Sequence, residues 1–319
     1  MTTEPVAGKE CSSVGSKQLT FTAYPNRDTN LGDLRISRAM PIRDRRMVGP
    51  WCFLDRYGPL VFAGDKPMNV PPHPHIGIQT VSWLLEGEVL HTDSLGSEAI
   101  VRPGGVNVMT SGNGITHAEE TPVNNSGRLN GVQLWVALPE EYRNINPSFR
   151  NVEQVPVIDT RGGLIQVFAG SLGDYTSPAP YFSEILGLDV QVHSGETVAF
   201  EINPEFEHAA LVLSSDCSFE NQPLEERTLY YFGTRRESIS FSSQRGGRVL
   251  LIGGLPFPET ILMWWNFVAR TPEEIAQARA DWEAAREGAS TRFGHVLGEH
   301  GAMLPSPTLV RFARPNPAS

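Results

Sequence analysis

Short runs of alternating apolar and polar residues recur along most of the chain. The clearest runs in the first half, within residues 33–138, are IGIQTVSWLLEGEVLHTDSLG, AIVRPGGVNVMTSG, GITHAEETP and NGVQLWVALP. A second series, within residues 163–254, includes YFSEILGLDVQV, GETVAFEI and GRVLLIGG. Turn residues separate the runs at intervals of about 8 to 12 residues, a spacing typical of β-sandwiches and barrels. The pattern therefore predicts an all-β protein with two successive β-domains.

Changes in composition indicate where these domains begin and end. Residues 1–18 are polar and rich in Ser and Gly, which predicts a flexible arm because they bury too little surface to offset the entropy of ordering. Residues 139–160 lose the alternation and contain three prolines, as expected of a crossing between domains. We therefore predict an N-terminal domain at residues 19–150 and a C-terminal domain at residues 151–319. Their similar strand lengths and turn spacing suggest a duplication.

One helix is predicted, at residues 271–287 in the C-terminal domain. Thr271 can act as the N-cap, Pro272 suits the first helical position, and Glu274 completes a capping box. Apolar residues then follow at helical spacing. Elsewhere the 30 Gly and 25 Pro residues argue against long helices before about residue 260.

Charge and cysteine content exclude several classes of function. The formal net charge of −10 argues against non-specific binding to nucleic acid or anionic lipid, so we expect no direct nucleic-acid binding. No apolar run is long enough to span a membrane. The three cysteines are far apart and odd in number, which indicates neither a disulfide framework nor a thiolate zinc site. With no signal peptide recognisable at the N-terminus, we predict a cytoplasmic protein.

Two pairs of candidate ligands stand out against this background. His73 and His75 are two residues apart, as are His117 and Glu119, and side chains at this spacing share one face of a strand. Pro74 stiffens the first pair, and a Gly-rich turn precedes the second. The alternative is that the second pair is merely two surface neighbours. We nevertheless predict that strand pairing brings all four side chains together around one divalent metal ion.

This donor set contains nitrogen and oxygen but no sulfur, and it is compatible with Fe(II), Mn(II), Ni(II), Cu(II) or Zn(II). In an octahedral site four protein ligands leave two positions open, and one carboxylate leaves a charge of +1. Such a site suits a bidentate anion, or one organic donor together with dioxygen. Glu119 is then a ligand and a candidate proton acceptor. A closed, structural zinc site is a third interpretation.

The remaining histidines are interpreted as structural. His91 shares a strand face with Asp93 and is expected to be exposed or hydrogen-bonded rather than a fifth ligand. His193 and His208 stand alone, so the C-terminal domain is predicted to hold no metal. Trp264 and Trp265 are interpreted as packing residues.

Long segments of the chain resemble a known family. HPHIGIQTVSWLLEGEVLHTDSLG, followed by RPGGVNVMTSGNGITHAEETP, resembles the most characteristic region of pirins, and MVGPWCFLDRYGP, NGVQLWVALP and GGLPFPETILMWWNFVARTPEEIAQARADW resemble further pirin segments. The resemblance spans residues 33–295. It implies two cupin (jelly-roll) β-barrels and one metal ion, usually iron, held by the residues matching His73, His75, His117 and Glu119. It also implies either quercetin 2,3-dioxygenase activity or an iron-dependent role as a partner of regulators.

The chain departs from the family pattern at Gln79, where pirins commonly have Glu, and at Gly105 and Val108, where an Asp-x-x-Trp motif is usual. Alternation from His75 predicts Gln79 as an amide beside the metal. The first hypothesis is a dioxygenase acting on a flavonol or a related chelating enolate. The alternative is an iron-binding, redox- or metal-sensing interaction protein that modulates a regulator or an enzyme.

Overall fold

The computed structural model describes residues 21–31, 34–64, 68–214 and 216–308, so the predicted arm at residues 1–18 lies outside the described residues. The first twelve strands are β1 (Thr22–Pro25), β2 (Arg27–Leu31), β3 (Leu34–Met40), β4 (Trp51–Val61), β5 (Asn69–His75), β6 (Ile78–Gly87), β7 (Val89–Asp93), β8 (Glu98–Val101), β9 (Val106–Thr110), β10 (Ile115–Glu120), β11 (Arg128–Ala137) and β12 (Ser148–Val152). The later elements are β13 (Val157–Thr160), β14 (Gly163–Leu172), β15 (Tyr175–Thr176), β16 (Ile185–Val192), β17 (Glu196–Glu201), β18 (Glu207–Ser214), β19 (Cys217–Phe219), β20 (Gln222–Pro223), β21 (Thr228–Gly233), β22 (Ser238–Ser243), β23 (Gly247–Gly254), β24 (Leu262–Trp264), β25 (Phe267–Ala269) and α1 (Pro272–Arg286). These elements confirm the all-β prediction.

The strands form two similar domains. In the first domain, a seven-stranded sheet in the order β12-β9-β6-β11-β4-β3-β2 is paired with a four-stranded sheet in the order β5-β10-β7-β8. In the second domain, a large sheet in the order β1-β21-β18-β23-β16-β14-β13 is paired with a four-stranded sheet in the order β17-β22-β19-β20. Neighbouring strands are antiparallel throughout these sheets, which lets short turns connect most of them.

The two large sheets pack against each other through a shared apolar layer. Trp83 of the first domain stacks on Phe168 of the second, with ring centroids 5.1 Å apart. Its Nε1 donates a hydrogen bond of 2.7 Å to Oδ2 of Asp189, and Arg248 donates two more to the same carboxylate. Because the buried charge of Asp189 is paired and hydrogen-bonded, it is tolerated inside this layer.

Both ends of the described chain cross between the domains. The predicted N-terminal domain at residues 19–150 included Thr22–Pro25, but this strand, β1, pairs with β21 of the second domain's large sheet. Sequence alternation identifies a strand and not its partner, so this assignment was wrong for β1. At the other end, the hairpin β24–β25 reaches the first domain, where Phe267 forms a bridge to Ile76.

The helix α1 confirms the predicted N-cap and capping box. It packs on the first domain, however, and not on the second domain to which the prediction assigned it. Thr271 is the N-cap, and its hydroxyl accepts from the backbone N–H of Glu274 within a capping box. The buried face contains Ile275 and Trp282 and packs on Ile76 and Phe267, so the helix covers the first domain although its sequence follows the second.

Two further expectations concern cysteines and membranes. Cys52 and Cys217 are buried and form no disulfide, while Cys11 lies outside the described residues. Among the described residues, no helix combines the length and the apolar character that crossing a membrane requires.

Candidate metal centre

Adjacent strands β5 and β10 bring three of the predicted ligands together. His73 lies directly opposite His117 in the antiparallel ladder, and His75 lies opposite Ile115. The ligand nitrogens of the three imidazoles all lie within 4.8 Å of one another. A bulge between His117 and Glu119 shifts the register with β5, and Glu119 lines the same cavity. The two pairs predicted from sequence therefore meet, with the imidazoles as the tight cluster.

Hydrogen bonds at the far side of each ring leave the other nitrogen available for a cation. His73 Nδ1 lies 2.9 Å from the carbonyl oxygen of Pro71, and His75 Nδ1 lies 3.2 Å from that of Asn266. A carbonyl only accepts, so both Nδ1 atoms carry hydrogen and both Nε2 atoms carry a lone pair. His117 Nε2 is buried and has no hydrogen-bond partner. A bound cation would satisfy this atom, so the residues present fit a metal ion.

Burial sets the charge of the site. It lowers the pKa of His73 to about 4 and the pKa values of His75 and His117 well below the ordinary value, because the cationic ring loses its hydration. All three rings are therefore neutral at pH 7, the form in which an imidazole can bind a metal ion. Burial also raises the pKa of Glu119, while the Ser82 hydroxyl, 3.3 Å from Oε1, favours its ionised form. A neighbouring cation would favour that form much more strongly.

The imidazoles open into a cavity of about 290 Å³ with aromatic and charged walls. Phe53 and Trp135 stack with ring centroids 4.1 Å apart, and Trp135 makes a T-shaped contact with the ring of His75. The guanidinium of Arg38 lies 4.6 Å from the Phe53 centroid and makes two hydrogen bonds to Asp55. Packed aromatic rings therefore run along the cavity from the imidazoles to the Arg38 guanidinium.

Sequence reasoning missed the residues that close this cavity. Trp265, Asn266 and Leu304 line it, although they follow the second domain in the chain. Leu304 is held there because its backbone N–H donates to the carbonyl of Pro72, and its own carbonyl accepts from Trp282 Nε1, both at 2.9 Å. A local sequence pattern does not indicate that the chain returns to the first domain after it has completed the second.

Trp265 has the packing role predicted from sequence and a second position that was not predicted. The prediction that Trp264 and Trp265 are packing residues agrees with their ring contacts to Phe267. Trp265 also lines the cavity, and its φ of +51° is uncommon for a residue with a side chain. Backbone strain of this kind often accompanies functional sites, but it becomes visible only in the structure.

The predicted role of Gln79 beside the metal is wrong. Gly77, at a φ of +71°, interrupts the strand between His75 and Gln79, so alternation does not carry across it. Gln79 instead faces the second domain, where its Nε2 donates to the Pro180 carbonyl and to the Thr110 hydroxyl, both at 3.0 Å. The presence of Gln79 where pirins commonly have Glu therefore alters the contact between the domains.

The other departures from the family pattern also lie away from the ligands. Val108 belongs to the apolar layer between the domains. At Gly105 a Cβ would lie 2.8 Å from the carbonyl oxygen of Val152, so a side chain there would require the backbone to move.

His91, His193 and His208 lie in three different environments. His91 is buried and hydrogen-bonded to Asp93, with 3.1 Å between Nε2 and Oδ2. Of the two expectations, exposed or hydrogen-bonded, the second is confirmed. His193 is exposed. His208 is fully buried inside the second domain, where neither ring nitrogen has a hydrogen bond of normal geometry. In the described part of the second domain, no group of three potential ligands converges.

Comparisons with known proteins agree with this architecture. Residues 33–136 match the family model described as Pirin, and residues 187–288 match the Pirin C-terminal cupin domain. The Pseudomonas aeruginosa protein PA1205, provisionally named a quercetin 2,3-dioxygenase, is 40% identical over 278 residues, 87% of each chain.

Two solved structures extend the comparison. A quercetin 2,3-dioxygenase from Acinetobacter baumannii superposes with a TM-score of 0.86 and 37% identity, covering 92% of this chain and 97% of that one. Escherichia coli YhhW, solved in complex with nickel(II), shares the fold with a TM-score of 0.58 at 20% identity, covering 74% of this chain and 99% of that one. With two cupin domains in this order and 40% identity to a relative over most of its length, the chain belongs to the pirin family.

Proposed function

We propose that this protein is a metal-dependent dioxygenase of the quercetin 2,3-dioxygenase type, acting on a flavonol or a related chelating enolate. The observation that supports this most is the set of three neutral, buried imidazoles, with their Nε2 atoms available, at one end of an aromatic-lined cavity. The names of the similar Pseudomonas and Acinetobacter proteins point to the same chemistry.

We propose that His73, His75, His117 and Glu119 hold one divalent ion per chain, and that this ion is Fe(II). When bound, the ion would supply a positive charge that favours the enolate of a chelating substrate, together with the electronic flexibility that reaction with dioxygen requires. Buried imidazoles and a single carboxylate leave such an ion with a charge of +1, which an anionic chelator neutralises. Mn, Ni, Cu and Zn are compatible with the same donors.

The cavity walls would orient the substrate. Phe53 and Trp135 line the cavity and would give a planar ring system aromatic contacts, which contribute about 0.5–1.5 kcal/mol each beyond burial. Arg38 lines the same cavity beside Phe53 and would face a phenolic oxygen. Trp265 and Leu304 line the same cavity and would limit the access of water to a bound substrate.

Glu119 would accept the proton that the substrate hydroxyl loses. Glu119 lines the cavity beside the imidazoles, within reach of a substrate bound there, and the Ser82 hydroxyl lies 3.3 Å from Oε1. One carboxylate therefore has two roles in this proposal, as a ligand in the resting site and as a base toward the substrate.

The test is anaerobic titration of Fe(II)-loaded protein with quercetin, followed by the admission of oxygen. The flavonol absorption band should shift on binding, because coordination favours the enolate. Oxygen should then bleach the band, with one O₂ consumed and one CO released for each flavonol cleaved. E119Q should weaken both steps, because an amide is a poorer ligand and accepts no proton.

The neighbouring E120Q variant is a matched control. Glu120 lies on the same strand and pairs with His300 instead of lining the cavity, so both steps should proceed as in the unmodified protein. A band shift without oxygen uptake would contradict the dioxygenase and favour a metal-sensing interaction protein. An unshifted band with iron demonstrably bound would remove flavonols as ligands.

A further inference from the structure

A second row of polar side chains lies behind His117, on the next strand of the same sheet. In the pairing of β10 with β7, Asp93 lies opposite His117 and His91 lies opposite Glu119. His117 Nδ1 lies 3.4 Å from His91 Nδ1, and His91 Nε2 lies 3.1 Å from Asp93 Oδ2. None of these three residues is more than 3% exposed, so water does not compete for the hydrogen bonds.

The outer members of this row are held in place by the protein itself. Asp93 Oδ1 accepts hydrogen bonds from the backbone N–H groups of Leu95 at 2.8 Å and Ser97 at 3.0 Å. The ring of His91 stacks on Phe149 with centroids 4.2 Å apart and planes inclined by 5°. The row therefore needs no metal ion to fix its geometry.

Hydrogen bonding along the row determines where each proton lies. An ionised carboxylate only accepts, so His91 carries a hydrogen on Nε2, next to Asp93. The contact between the two Nδ1 atoms is then a hydrogen bond when His117 donates from its own Nδ1 and His91 Nδ1 accepts. The Nε2 of His117, the buried atom without a partner, is left as a lone pair toward the ligand cluster.

We propose that His91 and Asp93 act as positioning residues, a relay that holds His117 in the metal-binding tautomer and makes it the strongest imidazole donor of the site. His73 and His75 donate to neutral backbone carbonyls, whereas His117 alone is linked through a ring to a carboxylate. Partial negative charge passed along the relay raises the basicity of His117 and stabilises the oxidised ion more than the reduced one. This inference rests on the proposed metal site and is independent of the substrate.

The protonation pattern can be measured first, in the apoprotein. Long-range ¹⁵N–¹H NMR at pH 7 should show an Nε2–H tautomer for His91 and Nδ1–H tautomers for His73, His75 and His117. A His117 with hydrogen on Nε2 would overturn the proposal before any metal is added. The same experiment on Zn(II)-loaded protein should show His91 uncoordinated, and coordination of His91 would also overturn it.

Two variants interrupt the relay at different points. H91F keeps a ring against Phe149 and removes the acceptor, so Zn(II) affinity in competition with a chromogenic chelator should fall about 10–100-fold. In D93N the new amide donates toward His91, which forces the hydrogen of His91 onto Nδ1, opposite the Nδ1–H of His117. His117 must then give up either this contact or its metal-binding tautomer, so D93N should lose at least as much affinity as H91F.

Controls separate the relay from packing and from folding. F149L removes the stacked ring and keeps both hydrogen bonds, so it should lower affinity far less than H91F. T92V removes a buried hydroxyl without a partner from the same strand and should leave affinity unchanged. H91N retains an amide acceptor near the position of Nδ1 and should recover part of the loss.

The redox readout is the midpoint potential of the bound iron. It should become more positive in H91F, because the oxidised ion loses the negative charge that supported it. Wild-type affinity and potential in folded H91F and D93N would show that the row is structural only. These measurements involve no flavonol, so a protein that binds metal tightly and fails to cleave quercetin would contradict the proposed function and leave this inference standing.

Discussion

The two domains share one architecture and differ in what fills it. Between its two sheets the second domain is packed with apolar side chains, among them Phe219, Phe232 and Phe241, and His208 is isolated within this packing. In the first domain the corresponding space contains three imidazoles, a carboxylate and a cavity of about 290 Å³. The same strand order and pairing can therefore enclose either an apolar core or a cavity lined by polar side chains.

The difference shows which features make a site from this fold. One isolated buried imidazole is a packing residue with an unpaired polar group, whereas rings on adjacent strands, each with its far nitrogen engaged, form a donor cluster. The first domain also receives a cover from residues 262–308, in the form of Trp265 and Leu304. The following predictions test this contrast.

The largest effect is expected when a ligand is removed from the first domain. H75A should reduce metal content from one ion per chain to near zero, measured by elemental analysis of anaerobically purified protein. The fold should remain, because both domains have apolar cores that do not depend on an ion, and circular dichroism should be unchanged. Full metal occupancy in H75A would show that the cluster is not the binding site.

Acid should destabilise the apoprotein in part through the three imidazoles of the first domain. The pKa values of His73, His75 and His117 lie below the unfolded value of about 6.5, so the unfolded chain binds more protons and stability falls as pH drops below about 6.5. The slope is up to about 1.4 kcal/mol per pH unit for each ring. The raised pKa of Glu119 acts with the opposite sign and offsets only one of the three.

Urea unfolding of the apoprotein between pH 7 and pH 4 measures this dependence. Apo H75A should show a shallower slope, because it lacks one of the three rings. An equal slope in both proteins would mean that the cluster is hydrated and that its burial does not control the pKa values.

Q79E tests the contact between the domains rather than the metal site. The carboxylate would be fully buried and would face the Pro180 carbonyl, so we expect a loss of about 3 kcal/mol at pH 7. The loss should diminish as pH falls, because burial raises the pKa of the new carboxyl group and the protonated form is tolerated. Metal content should not change. Unchanged stability together with altered metal affinity would show that residue 79 acts on the metal site and not on the contact between the domains.

The smallest effect is expected at the solitary histidine of the second domain. H208L has a similar volume and removes ring nitrogens that have no hydrogen bond of normal geometry, so stability at pH 7 should change by less than about 1 kcal/mol. Metal content and oxygen uptake should match the unmodified protein. A loss of metal in H208L would show that the two domains are coupled in a way that the apolar layer does not explain.

The sequence predicted those parts of the molecule that depend on local spacing. The i, i+2 pairs of His73 with His75 and His117 with Glu119 gave the correct strand faces, and Thr271 with Glu274 gave the correct helix start. Such features follow from backbone geometry alone, so they can be read without knowing which strands are neighbours.

What the sequence could not supply depends on long-range pairing. The assignment of Gln79 failed because the positive φ of Gly77 interrupts the alternation, and a Gly in a strand pattern does not reveal its φ. The pairing of β1 with the second domain, and the placement of Asn266 beside His75, require the folded chain. The convergence of His73, His75 and His117 was predicted from sequence, and the residues that orient these rings and complete the cavity were not.

The hydrogen bond between His75 and Asn266 has a consequence for the order in which the protein is made. The two residues are 191 positions apart, so at about 5–20 residues per second a ribosome adds Asn266 roughly 10–40 s after His75. During that interval the first domain can pair its strands, yet His75 lacks the carbonyl that orients its ring, and the cavity is open. An ion that arrived before Asn266 was in place would therefore meet a more open and less ordered imidazole cluster than the folded chain presents.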